Sequence, residues 1–218
     1  MITIERLSIK GYNNRKLKSR LFKPDLDTNE VALVFPGLAY TCDMPLLYYT
    51  IETIITSGTN VLSVDYDYSN NQDFLKQSVR ERSEWLLGDS EAALNMITNE
   101  RKQRVVCLAG KSLGTLVLGH LLETHEELRD AKTIWLTPLI KNPQLIEQML
   151  AYMREAVLVI GTNDSHYDRD IIDRLNASTQ LSGIVIDGAD HSLEIEGKIT
   201  DSLRVLTQIV SILGPFLD

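Results

Sequence analysis

The chain has 218 residues, 44% of them hydrophobic, a length and composition at which one domain can build one complete core. Its formal net charge of −8 is spread along the chain rather than gathered in a tail, which argues against nucleic acid and acidic lipid surfaces and for a small-molecule or peptide-like partner. Residues 1–20 lack the apolar stretch of a signal peptide, no later run could span a bilayer, and Cys42 and Cys107 are a lone, distant pair; a cytoplasmic, reducing location is expected.

In chain order, Ile2 to Lys10 and Lys16 to Lys23 read as two strands joined by Gly11-Tyr12-Asn13-Asn14, an antiparallel hairpin. Val31 to Phe35 is a short apolar run of the kind a strand buried on both faces produces, stopped by Pro36-Gly37. Leu46 to Ile55 has helical spacing, Val61 to Val64 is a strand, and a long helical region is expected from about Asp73 to Asn99. Arg104 to Ala109 is the next strand, Leu113 to Leu122 a helix, and Thr133 to Leu136 a strand. Pro143 to Met153 is helical, Val157 to Ile160 a strand, Tyr167 to Leu175 a helix, Gly183 to Ile186 a last strand and Asp201 to Leu213 a closing helix.

This alternation predicts an α/β fold in a single domain over residues 1–218: a mostly parallel sheet of about eight strands, an N-terminal antiparallel hairpin, and helices on both faces. In such sheets chemistry collects at the carboxyl ends of the strands. The positions to inspect are therefore Pro36 to Tyr40, Asp65, Gly110 to Gly114, Thr137, Gly161 to Asp164 and Asp187 to His191.

Gly110-Lys111-Ser112-Leu113-Gly114 matches G-x-S-x-G after a strand and before a helix, where a sharp turn would raise the serine oxygen above the sheet. Larger side chains at Gly110 and Gly114 would collide with neighbouring backbone. A phosphate-binding loop fails on spacing, because the glycine it needs five residues before Gly110 is Val105, inside the strand. Plain helix capping by Ser112 is the bland alternative.

A serine hydroxyl needs a neighbouring base. His191, in the loop after the last strand, is the first choice, and His166, beside the acid loop, is the rival. His120 and His125 lie in or beyond the helix after Ser112 and read as surface or packing residues, since H-x-x-E-H needs one residue fewer than this chain has. Asp164, after the strand ending at Ile160, is the expected carboxylate, with Asp168 as the alternative. No dense cluster of His, Asp and Glu suggests a metal, and no cofactor is expected.

The order of elements, the Gly110 to Gly114 elbow, the acid-bearing loop and the late histidine together resemble the α/β-hydrolase superfamily, in particular its small serine hydrolases without a lid. The resemblance covers nearly the whole chain and implies the order Ser112, Asp164, His191; apart from it, Asp187 and Asp190 lie too close to His191 in sequence to be first choices for the acid, and Asp190 is expected at most to support the histidine loop. The resemblance also implies an oxyanion hole from the backbone N–H groups of Leu38 and Leu113, in a loop where this chain carries Pro36-Gly37 and many relatives carry His-Gly. Tyr40, Tyr48 and Tyr49 are candidates to line the substrate site, with plain core packing as the alternative.

The expected activity is hydrolysis of a small-molecule carboxyl ester or thioester, rising with pH as the imidazole loses its proton; a non-catalytic small-molecule-binding relative is the alternative. Between Leu136 and Val157 the sequence has room only for a short loop and one crossover helix, so an open site without interfacial activation is expected.

Overall fold

The computed structural model describes residues 1–218 and places eight strands in one sheet, in the order β1-β2-β4-β3-β5-β6-β7-β8. Strands β1 (Thr3–Lys10) and β2 (Lys16–Lys23) form the expected antiparallel hairpin, and β2 continues antiparallel onto β4 (Asn60–Val64). The remaining neighbours, β3 (Glu30–Phe35), β5 (Arg104–Lys111), β6 (Lys132–Leu136), β7 (Ala156–Gly161) and β8 (Leu181–Ile186), all pair in parallel. Val31 to Phe35 and the whole of β7 are buried, as continuous apolar runs in the middle of a two-faced sheet require.

Helices cover both faces. On one, α1 (Pro45–Thr56) and α7 (Ile199–Leu217) bury residues such as Ile51, Ile54, Ile209 and Leu213 against Val34, Val61 and Val159. On the other, α3 (Val79–Asn95), α4 (Leu113–Thr124), α5 (Pro143–Tyr152) and α6 (Arg169–Ser178) pack Trp85, Leu118, Met149 and Leu175 over Leu33, Leu108 and Leu158. No helix is long and apolar enough to cross a membrane.

Two local differences from the sequence expectation have clear causes. The helical region expected from Asp73 to Asn99 is broken into a short α2 (Gln72–Leu75), α3, and a π-helical turn at Met96–Glu100. Ser78 starts α3 afresh through a capping box: Glu81 N–H donates to Ser78 Oγ at 3.3 Å, and Ser78 N–H donates to Glu81 Oε2 at 2.9 Å. Strand β5 also runs two residues beyond Ala109, because Gly110 still pairs with Phe35 and Lys111 with Leu136.

Candidate active site

Three loops at the carboxyl ends of β5, β7 and β8 meet above the sheet. Ser112 follows β5 at once, and its N–H still donates to Leu136 O of β6 at 3.0 Å, so the ladder holds the residue up to its amide. The backbone then reverses at Ser112 with φ 50° and ψ −113°, a conformation rare for a residue with a side chain. Such a turn is possible only if α4 can lie almost on top of β3 and β5. A Cβ at Gly114 would stand 2.1 Å from Phe35 O, and one at Gly110 would stand 2.6 Å from Gly114 O. The two glycines thus let the helix approach, and the approach projects Ser112 Oγ outwards.

Ser112 Oγ donates to His191 Nε2 at 2.8 Å, and His191 Nδ1 lies 2.7 Å from Asp164 Oδ2. The neutral tautomer that serves both bonds carries its proton on Nδ1. Asp164 is buried, and its other oxygen accepts from His166 N–H at 2.8 Å. Burial pushes the Asp164 carboxyl up, but the hydrogen bonds from His191 and His166 N–H, with the charge of the two imidazoles, outweigh it and hold the group below its ordinary value. Asp190 supports the histidine loop from the side, its Oδ1 accepting from Ser192 N–H at 2.7 Å and Glu194 N–H at 3.0 Å.

The other candidates are placed elsewhere. Asp168 caps α6, accepting from Ile171 N–H at 3.2 Å. The His166 ring lies 5.5 Å from the His191 ring, centroid to centroid, and burial lowers its basicity. His120 and His125 both turn to Glu91 of α3, at 2.8 and 2.9 Å, away from Ser112. Asp65, at the end of β4, is held by Arg20 in a two-pronged pair at 2.6 and 2.9 Å. Tyr48 and Tyr49 stand half-exposed on α1, edge to face with one another, while Tyr40 is buried and its hydroxyl accepts from Leu46 N–H at 3.0 Å.

Gly37 lies against Ser112: a Cβ at Gly37 would be 3.4 Å from Ser112 Cβ. Leu113 is the first residue of α4, where the N–H has no partner inside the helix. The Leu38 side chain is exposed to 41%. A cleft of about 700 Å³ opens nearby between Tyr40, Leu46, Asp190, Leu193 and Leu206, on the face covered by α1 and α7, but neither Ser112 nor His191 lines it. Ser112 is partly buried and lies outside that cleft.

Lys111 is the member of the neighbourhood that sequence reasoning missed. It is 1% exposed, and its Nζ donates to His191 O at 3.0 Å and to Thr137 Oγ1 at 3.2 Å, 4.5 Å from the centre of the Tyr40 ring. Burial pushes the ammonium down to about 8, with the charges of Asp164 and Asp190 opposing the shift. A lysine in an otherwise apolar strand reads as a polar break, and only the alternation of faces at the strand end could have hinted that it points inwards.

That shift has a measurable consequence for stability. The unfolded chain holds the Lys111 proton with ordinary affinity, so between pH 8 and about 10.5 it binds more protons than the folded chain, and stability rises with pH. Urea unfolding of the wild type and Lys111→Met at pH 7.5 and 9.5 should show the difference between them moving by about 2 kcal/mol in favour of the wild type at the higher pH. A difference constant with pH would contradict the buried cation.

The sequence model of the alpha/beta hydrolase domain family matches residues 37–212, a span that includes Ser112, Asp164 and His191. The chain belongs to the α/β-hydrolase family. No curated protein sequence matches it. Among solved structures, an esterase from Pyrococcus furiosus is similar with a TM-score of 0.70 at 16% identity, covering 100% of this chain and 94% of that one. A serine hydrolase without a lid from Xanthomonas campestris gives 0.70 at 14% identity over 98% and 93% of the two chains. Est1E of Butyrivibrio proteoclasticus, solved with ferulic acid bound, gives 0.67 at 12% identity over 97% and 98%. At such identities the likeness is one of fold.

Proposed function

We propose that the protein is a serine hydrolase that cleaves a carboxyl ester or thioester through an acyl-enzyme on Ser112. The observation that carries this reading is the unbroken chain of contacts from Ser112 Oγ to His191 Nε2 at 2.8 Å and from His191 Nδ1 to Asp164 at 2.7 Å, set on a strand-to-helix elbow. His191 takes the serine proton as Oγ attacks the acyl carbon, and gives it to the leaving alcohol or thiol as the tetrahedral intermediate collapses. Water then attacks the acyl-enzyme with the same assistance, releasing the acid and restoring Ser112. Asp164, ionised at neutral pH, holds the ring in the useful tautomer and stabilises the imidazolium. The N–H groups of Leu113 and Leu38 receive the developing oxyanion, supported by the contact of Gly37 with Ser112.

The site is open, in a single domain without a lid. Between β6 and β7 the chain spends only residues 137–155, two short loops flanking α5, the crossover that parallel strands require. Short or medium acyl groups, or substrates whose bulk projects into solvent, fit such a surface.

The test is labelling with an alkyl fluorophosphonate, together with turnover of p-nitrophenyl esters and acyl thioesters of graded chain length. Labelling of the wild type but not of Ser112→Ala is the expected result; an unlabelled wild type would leave a ligand-binding relative as the better account. Asp164→Asn should lower kcat by about 10³- to 10⁴-fold, because an amide can stabilise the wrong tautomer, while Asp168→Asn should leave kcat nearly unchanged. The reverse pattern would move the acid to Asp168.

A further inference from the structure

Lys111 occupies the variable position before the nucleophile, and its ammonium group is spent on the base. It reaches out of β5 to the backbone oxygen of His191, 80 residues further on, and to the hydroxyl of Thr137 at the end of β6. No carboxylate lies within ion-pair distance of it. A cation left this deeply buried without a counter-ion is costly to retain. Three features show what it holds. Thr137 is itself set at φ 44°, fixed by its N–H donating to Val159 O at 2.7 Å, so its hydroxyl is anchored to the sheet. Tyr40, whose ring lies beside Nζ, is fixed by its own hydrogen bond to Leu46 N–H. The histidine loop, in contrast, is irregular backbone, with Leu193 at φ 60° and no strand pairing at His191.

We propose that Lys111 is a positioning residue: it clips the backbone of His191 to the ends of β5 and β6, and so fixes the height of the imidazole above Ser112. The proposal rests on the reading of Ser112 and His191 as nucleophile and base. The clip does not depend on the charge of Lys111. The neutral amine keeps two hydrogens, one for His191 O and one for Thr137 Oγ1, so the contact survives deprotonation. The groups that face it are Asp164 and Asp190 from the loops after β7 and β8, and Tyr40 from the loop after β3.

The predicted signature separates positioning from simple packing. Lys111→Met, close in volume and without donors, should lower kcat and the fluorophosphonate labelling rate together, on the order of 100-fold, with KM little changed and the circular dichroism spectrum intact. Lys111→Arg, which brings donors to a similar reach, should recover part of the rate. In the wild type the Nδ1 proton of His191, held by Asp164, should give a sharp low-field proton NMR resonance, and in Lys111→Met that resonance should broaden or vanish. Should the methionine variant not fold, Lys111→Gln, polar but too short to reach, takes its place in the same measurements. A resonance equally sharp in wild type and variant, or wild-type kcat in Lys111→Met or Lys111→Gln, would overturn the clip. Because the resonance is read without substrate, a wild type that neither turns over nor labels would overturn the hydrolase reading while leaving the positioning of His191 testable on its own.

Discussion

Ser112→Ala and His191→Ala should each lower kcat on a reactive ester by about 10⁴- to 10⁶-fold, and the double variant should be scarcely worse than either. The reason lies in the geometry. A serine without its base remains a neutral hydroxyl, a poor nucleophile at neutral pH. A histidine without its serine can only activate water from a place meant for Oγ. Both single losses thus remove the same step, and the residual rate comes from whatever the oxyanion donors and substrate binding still provide. Steady-state kinetics on p-nitrophenyl acetate, with active-site titration to exclude wild-type contamination, is the check. Losses that multiplied in the double variant would mean that Ser112 and His191 act independently, and the acyl-enzyme route would be wrong.

The second large effect is on stability. Gly114→Ala should destabilise the fold by roughly 3 kcal/mol or more, beyond the usual range for an added methyl group, because the new carbon meets backbone instead of a flexible side chain. It would stand 2.1 Å from Phe35 O and 2.8 Å from Phe35 C, in a strand that is buried throughout its apolar run. Relief requires α4 to lift away from β3, and that lift carries Ser112 with it, so activity should fall further than the remaining folded fraction explains. Gly214→Ala, near the end of α7 with nothing within 4 Å of its new carbon, is the matched control and should be neutral or slightly stabilising. Denaturant unfolding of the two variants side by side decides the matter; equal stabilities would show that the helix has room to move.

The sheet was legible because its strands are buried on both faces and therefore spell short apolar runs between helical segments. Val31 to Phe35 and Val157 to Ile160 could be read almost to the residue. The edge strand β8 was less so, since Leu181 to Val185 is at best partly buried and Ser182 and Gly183 separate Leu181 from the apolar run that follows. The break before α3 was written in the sequence as Ser78 and Glu81, but the helical periodicity on either side concealed it. Ser112, Asp164 and His191 stood out because each follows a strand, and the structure brings all three within hydrogen-bond distance in sequence.

What the sequence concealed were contacts between distant segments. Lys111 is a charged letter at a strand end, and nothing local says that its amine will be buried beneath a loop 80 residues away. The partnership of His120 and His125 with Glu91 depends on how α4 packs on α3. Tyr40 was grouped with Tyr48 and Tyr49 by proximity in sequence, yet the first is fixed inside by Leu46 and the other two look outwards from a helix.

The separation of these residues along the chain also bears on how the site comes into being. Ser112 and His191 are 79 residues apart, and Asp164 precedes His191 by 27. Neither gap can be closed by local structure, so the loops meet only once β5, β6, β7 and β8 have docked in register, the slow, long-range part of building a parallel sheet. A nascent or partly refolded chain can therefore hold much of its helix and strand and still be chemically silent. On the proposed mechanism, reactivity at Ser112 would report the arrival of the last strand, and the site could not act on its surroundings before the sheet is finished.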